Sequence, residues 1–379
     1  MTNSNYSNDP KHPSQHEPTG TQAIGESEVT GLPEISGNLL APVDIASSNV
    51  TSNATSSYPT PVWEKLGKHN WRVSDLSDHL YQAMLDIGDG INLCVEAGGN
   101  PENPPLLMIM GLGSQMVFWP DDFIKRLIDA GFFVIRFDNR DIGLSSKVQI
   151  EGLPRVSQLK MMLRLQTGLS NKSQQVAYNL TDMAEDTARL IKALNLGSTH
   201  LLGASMGGMI AQIVAARYPS LVQGLALMFT TTNRAFLKPP KPKQLYTLIN
   251  RPESHSERDI VRHSVWFMKT VGTPGHVNVR TVREIAKIRY QRNFHPLGTV
   301  QQLNAILASG SISRFSKQVK APTIVIHGSA DGLLPASQGR VVAKTIPNAK
   351  FHLIEGMAHD IPAYYQPYLV DLIRNHLLG

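Results

Sequence analysis

The sequence predicts an α/β protein with a doubly wound, mostly parallel sheet and a helical segment inserted into it. Three observations carry this. From Gln82 to Thr230, and again from residue 314 to the end, short apolar runs alternate with stretches of helical periodicity. Two of the runs, Leu106 to Met110 and Phe132 to Phe137, are uninterrupted, as expected of strands covered on both faces. Between Thr230 and about Ser313 the alternation stops and helical patches replace it.

The elements follow in order. Residues 1–62 are rich in Ser, Asn, Thr, Pro and Gly with almost no aromatics, too little apolar surface to offset ordering entropy, so a disordered leader is expected. Trp63 to Leu80 is expected to form a short amphipathic segment packed on the core. Ala83 to Ile87 and Ile91 to Val95, around Gly88-Asp89-Gly90, read as an opening hairpin. Leu106 to Met110, a helix over Phe118 to Ala130, and Phe132 to Phe137 make a β-α-β unit. Val156 to Leu169 predicts an extra helix leaning toward the same opening as the insertion. Thr181 to Leu194 is a helix and Thr199 to Leu202 a strand; Met209, Ile210, Ile213 and Val214 then recur at helical spacing up to Arg217-Tyr218-Pro219. Gly224 to Phe229, Thr323 to Ile326 and Phe351 to Ile354 are strands, and Gln366 to Leu378 closes the chain as a helix. The insertion follows the sixth of these strands. It holds Pro239-Pro240 and Pro242, then helical patches such as Arg258 to Val271 and Val282 to Arg292. The expected organisation is a leader (1–62), a first core part (63–230), a helical cap (231–313) and a second core part (314–379).

Composition narrows the class of protein. A chain of 379 residues with 41% hydrophobic content can bury a large core. No window reaches 18 consecutive apolar residues, so stable membrane insertion is not expected. Met1 to Pro10 lacks the basic and apolar regions of a secretory signal, and a cytoplasmic location is expected. The single cysteine, Cys94, excludes an internal disulfide, agrees with a reducing compartment, and is expected to be packed. Net charge is +6, but residues 231–320 hold 16 basic and 4 acidic side chains. These basic residues are scattered among apolar ones, which fits a solvated helical surface. No nucleic-acid module and no His-Glu-x-x-His or similar metal-ligand spacing occurs, so neither nucleic acid nor a metal is expected. Nothing in the sequence specifies an oligomeric state.

Chemistry concentrates at Gly203-Ala204-Ser205-Met206-Gly207-Gly208, between an apolar strand and a helix. A G-x-S-x-G stretch in that context predicts a nucleophile elbow, whose glycines let the backbone turn sharply and expose the hydroxyl. A serine hydroxyl is a poor nucleophile unless a base accepts its proton and a third group orients the base. Asp331 follows the strand Thr323 to Ile326, and His359 follows Phe351 to Ile354, giving the order Ser, Asp, His. His327 and His352 sit in or beside apolar strand residues, where histidine is usually packed, so His359 is preferred as base. Glu355 and Asp360 are rivals to Asp331 as the orienting acid, but both lie too near His359 to come from a separate strand. The developing oxyanion needs two backbone donors. Met206, at the start of the helix, offers one, where the helix dipole also favours negative charge. The loop Gly111-Leu112-Gly113-Ser114 offers the other, assigned to the amide of Leu112 beside Gly111.

Together with these motifs, Phe137-Asp138-Asn139-Arg140-Asp141-Ile142-Gly143-Leu144-Ser145 resembles the D-x-R-G-x-G-x-S loop of the alpha/beta-hydrolase superfamily, departing from it at Asp141, where glycine is usual. The resemblance covers about 82–230 and 314–379. The Asn-Arg-Asp variant, with Met110-Gly111-Leu112-Gly113-Ser114-Gln115-Met116, is similar to the branch that includes aclacinomycin methylesterase. It implies that Asp138 and Arg140 brace the oxyanion loop through a polar network. Met110 stands where the superfamily usually has histidine.

The function expected is a serine carboxylic-ester hydrolase with no cofactor, acting on a small hydrophobic ester through an acyl-enzyme. Lactone opening, acyl transfer, perhydrolysis and carbon-carbon hydrolysis use the same residues and stay open as alternatives, as does a binding protein that has lost the chemistry. Trp266, Phe267 and Met268 of the insertion, with Phe118 and Trp119, are candidates for the pocket wall or for plain packing.

Overall fold

Alternating burial starts the sheet and continuous burial fills its centre. The computed structural model describes residues 66–67 and 69–379. The expected leader lies outside the described residues. β1 (Arg72–Ser74) and β2 (Ser77–Asp86) pair antiparallel, as do β2 and β3 (Asn92–Gly98) around the turn at Gly88-Asp89-Gly90. Part of the stretch expected to form a short amphipathic segment packed on the core is therefore sheet. Arg72, Val73 and Asp78 lie exposed on this edge and give no apolar run from which to recognise it.

β4 (Pro105–Ile109), β5 (Phe133–Phe137), β6 (Thr199–Ala204), β7 (Val222–Met228), β8 (Thr323–Gly328) and β9 (Lys350–Ile354) complete nine strands in the order β1-β2-β3-β5-β4-β6-β7-β8-β9. From β5 onward along the sheet every pairing is parallel. Two apolar layers cover it. One face packs α3 (Leu180–Ala193), α4 (Met206–Arg217) and α10 (Ala336–Thr345) through residues such as Leu190, Ile210 and Val342. The other packs α1 (Asp121–Asp129) and α11 (Gln366–Leu377) through Phe123, Leu127, Leu369 and Ile373. Burial on both faces is why the central strands read as unbroken apolar runs.

α2 (Gln158–Gln166) rests on a separate small cluster through Met161, which meets Leu303 and Leu307. Those two belong to the insertion, which runs between β7 and β8 as α5 (Pro242–Ile249), α6 (Glu257–Val271), α7 (Val279–Arg292), α8 (Pro296–Ser309) and α9 (Ser313–Ser316). With β1 added, it follows the seventh strand, not the sixth. Asn179, Ser256 and Asn278 cap α3, α6 and α7 by accepting backbone N–H bonds. Among the described residues no helix is long and apolar enough to cross a membrane.

Candidate active site

β6 carries Ser205 to the carboxyl edge of the sheet, where the chain must turn into α4 within one residue. Ser205 does so at φ 54° and ψ −117°, a backbone region that glycine enters freely and an L side chain only under strain. Glycines clear the space. A Cβ on Gly207 would stand 1.9 Å from the Ile109 carbonyl oxygen, and one on Gly203 would stand 2.6 Å from the Gly207 carbonyl oxygen. The Thr230 hydroxyl, just beyond β7, donates to the Ser205 carbonyl at 2.6 Å and holds the strained residue in place.

Loops after β8 and β9 bring Asp331 and His359 to this point. His359 Nδ1 lies 2.7 Å from Asp331 Oδ2, and Nε2 lies 3.1 Å from Ser205 Oγ. An ionised carboxylate can only accept, so Nδ1 carries the proton and Nε2 is left to accept from the serine hydroxyl. Asp331 is buried, and Oδ1 takes backbone N–H bonds from Leu333 at 2.9 Å and Leu334 at 2.8 Å. Burial raises its carboxyl, but the charge of His359 and hydrogen bonds from His327 and His359 outweigh that and hold it well below the usual carboxylate range. The arrangement can draw a proton from Ser205 onto an imidazole whose far side is already compensated.

The rivals are occupied elsewhere. Asp360 Oδ1 accepts the Thr273 N–H at 3.0 Å, Glu355 accepts the Ser329 hydroxyl at 2.8 Å, and His352 pairs with the Tyr368 hydroxyl at 2.7 Å. The His359 backbone N–H donates to the Val271 carbonyl at 3.1 Å, and the Ala358 N–H donates to Thr273 Oγ1 at 2.9 Å. The histidine loop is thus tied to the end of α6.

The loop after β4 arches over Ser205. A Cβ on Gly111 would come within 3.1 Å of Ser205 Cβ and 3.7 Å of Oγ. The Ser114 N–H donates to the Gly111 carbonyl at 3.3 Å, closing a turn whose third residue, Gly113, has φ +65°. Among the described residues no hydrogen bond occupies the amide of Leu112 or that of Met206, the first residue of α4. A tetrahedral oxyanion requires two such free donors.

Asp138 and Arg140 part company. Asp138, fully buried, accepts the Met116 N–H at 2.7 Å through Oδ1, and through Oδ2 the Leu144 N–H and Arg292, both at 3.0 Å. A Cβ on Gly143 would stand 2.0 Å from Asp138 Oδ2, which explains that glycine. Arg140 instead sends its guanidinium to Asp186 on α3, at 2.5 and 2.6 Å, with the Tyr178 ring 5.1 Å away. Only its backbone carbonyl reaches toward the oxyanion loop, through Gln302. Asp141 takes φ +71°, the left-handed conformation glycine would supply and aspartate tolerates.

The arginine that reaches Asp138 is Arg292 of α7, which also donates to Gln115 Oε1 at 2.7 Å. Nothing in its local sequence marks it. Cys94, buried beside it with Sγ 3.8 Å from Nη2, has a thiol pushed far up by burial first and by the Asp138 charge second, so it stays protonated. Trp119 is core, stacked on Phe123, whereas Phe118 carries the Arg289 guanidinium 4.5 Å above its ring. Trp266 packs on Tyr246 within the insertion. Among the described residues no group of three or more His, Cys, Asp or Glu is placed to hold a metal ion.

Comparison with known proteins agrees with this fold. The model of the alpha/beta hydrolase fold family matches residues 104–363, more than half of the chain. Rhodomycin D methylesterase of Streptomyces peucetius is 26% identical over 304 residues, 74% of this chain and 93% of that protein. A poly(3-hydroxyalkanoate) depolymerase of Ectopseudomonas oleovorans is 30% identical over 261 residues, 68% of this chain and 78% of that protein. Among solved structures, the enol-lactonase of Burkholderia xenovorans superposes with a TM-score of 0.59 at 17% identity, covering 78% of this chain and 99% of that one.

Proposed function

The chain belongs to the alpha/beta-hydrolase family, and from that membership we propose that it is a serine carboxylic-ester hydrolase working through an acyl-enzyme. The observation that carries the reading is the unbroken contact from Asp331 through His359 to Ser205, at 2.7 and 3.1 Å. Ser205 Oγ attacks the ester carbonyl as His359 Nε2 takes its proton. The negative charge that builds on the carbonyl oxygen is met by the amides of Leu112 and Met206. His359 then protonates the departing alkoxide, and water repeats the sequence to free the acid. No cofactor enters any step.

The similarity to rhodomycin D methylesterase supports a carboxylic ester of a small molecule as substrate.

Turnover of p-nitrophenyl esters of increasing chain length, run beside labelling with a fluorophosphonate probe, tests the reading. Hydrolysis and labelling that both vanish in Ser205→Ala are expected. Wild-type rates in that variant, or a wild type that neither turns over nor labels, would reject it.

A further inference from the structure

The insertion touches the oxyanion loop by more than apolar contact. Gly113, the residue after the assigned donor Leu112, is held at both ends of its backbone by helices of the insertion. Its N–H donates to Gln302 Oε1 of α8 at 2.9 Å, and its carbonyl accepts from Arg289 Nη2 of α7 at 2.9 Å. Gln302 is fully buried and its amide nitrogen donates to the Arg140 carbonyl at 3.0 Å, so the side chain is fixed at both ends. Thr299 of α8 fills the space beside Gly113, since a Cβ there would meet Oγ1 at 2.7 Å.

The next residues are held just as firmly. Gln115 donates from Nε2 to the Arg289 and Asn293 carbonyls at 2.8 and 3.0 Å, closing the end of α7, and its Oε1 accepts from Arg292. Arg292 completes the circuit on Asp138, which itself holds the Met116 N–H. Asp138 and Arg292 are both nearly inaccessible, with side chains 0% and 8% exposed. A buried carboxylate without its cation carries an uncompensated charge, so this pair cannot relax without disturbing the loop.

We infer that Arg292 and Gln302 are positioning residues of the oxyanion hole: the insertion sets the direction of the Leu112 amide, and is thereby part of the catalytic apparatus as well as a wall over it. This rests on the ester-hydrolase reading. The physical reason is that a peptide N–H stabilises an oxyanion only when aimed at it, and a short turn with a left-handed glycine can rotate its peptide planes at little cost unless its neighbours are pinned. Residues acting this way contribute to the transition state and hardly at all to ground-state binding.

The test compares Arg292→Met, Arg292→Lys and Gln302→Met with wild type on a p-nitrophenyl ester. Affinity for a trifluoromethyl ketone, which forms a tetrahedral oxyanion on the serine, and the unfolding midpoint are measured beside it. Arg283→Ala, on the exposed side of α7, is the control. We expect kcat to fall at least tenfold in Arg292→Met and Gln302→Met with KM within twofold. Ketone affinity should fall in proportion to kcat, and Arg292→Lys should recover part of both. Should Arg292→Met not fold, Gln302→Met and Arg292→Lys carry the same comparison. The inference is overturned if folded variants keep kcat within twofold, if KM rises while kcat holds, or if ketone affinity is unchanged as kcat falls. A wild type that fails to hydrolyse any ester would instead remove the parent reading, and this inference with it.

Discussion

His327, near the end of β8, and Asp331, on the loop that leaves it, stand four residues apart, with Nε2 3.4 Å from Oδ2. The same carboxylate oxygen meets His359 at 2.7 Å, so one oxygen lies between two imidazoles. His327 Nε2 also approaches the Leu334 carbonyl at 2.7 Å; a carbonyl only accepts, so that nitrogen is protonated and helps keep Asp331 ionised.

Asp331→Asn should therefore retain the fold and lose kcat by about 10⁴-fold, because an amide no longer fixes the tautomer of His359. Its stability should change with pH in a definite direction. A carboxyl whose folded pKa lies below its unfolded value of about 3.9 stabilises the protein above that pH. The contribution is lost as pH falls through the folded pKa. Unfolding midpoints of the two proteins between pH 2 and pH 7 should converge toward the acid end; curves that stay parallel would contradict this.

Strain at Ser205 predicts a trade between activity and stability. A side chain at φ 54° and ψ −117° costs about 1–3 kcal/mol. Ser205→Gly should unfold later than Ser205→Ala by about 1 kcal/mol, the gain offset in part by the freer unfolded chain of glycine. Both variants should be inactive. Denaturant titration gives the comparison, and an alanine variant as stable as the glycine one would mean the elbow is unstrained.

Gly207 and Gly208 should differ in tolerance. A Cβ on Gly207 meets the Ile109 backbone oxygen at 1.9 Å, whereas on Gly208 its nearest neighbours are Thr230 side-chain atoms from 2.7 Å outward. Thr230 Cβ cannot rotate away, but the overlap there is smaller and falls on a residue just beyond β7, whereas the 1.9 Å overlap falls on the backbone of a central strand. Gly207→Ala should cost about 3 kcal/mol or more and yield little soluble protein, with Gly208→Ala milder and slower in turnover because Thr230 holds the Ser205 carbonyl. Soluble yield and melting temperature order the two, and the reverse ranking would count against this account of the elbow.

His200 on β6 is buried, and among the described residues neither ring nitrogen finds a hydrogen-bond partner. Burial first, and His376 second, push its imidazole down to about 4. In the unfolded chain it takes a proton near pH 6.5, while the folded protein refuses one until about 4. Stability should thus fall as pH drops between those values. His200→Leu should flatten that limb, gaining more at pH 5 than at pH 8 in thermal unfolding; an equal shift at both pH values would refute the assignment.

The motif residues were legible because their meaning is local. A G-x-S-x-G between a strand and a helix, and an Asp and a His after two later strands, locate themselves by chain order. Helices with clear periods, such as α3 and α6, were equally readable. What could not be read depends on reach across the fold. Arg140 and Asp186 are 46 residues apart, and Arg292 meets Asp138 across 154. A basic side chain in a helix rich in basic side chains carries no sign of which one turns inward. β1 escaped because three residues with two exposed give no period, and α10 because it shows no sharp apolar stripe in Ala-Ser-Gln-Gly-Arg-Val-Val-Ala-Lys-Thr.

Val271 and Thr273, at the junction of α6 and α7, fasten the middle of the insertion to the histidine loop, and Arg289, Arg292 and Gln302 fasten α7 and α8 to the turn above Ser205. Evolution of substrate preference therefore has unequal freedom along this segment. The outer sides of α5 and α6 can drift, while the start of α5, held to Gly332 beside Asp331, and α7 with the first half of α8 are bound to the machinery they shelter. A chimera grafting another relative's segment here would inherit its selectivity only by importing matching anchors at both sets of contacts.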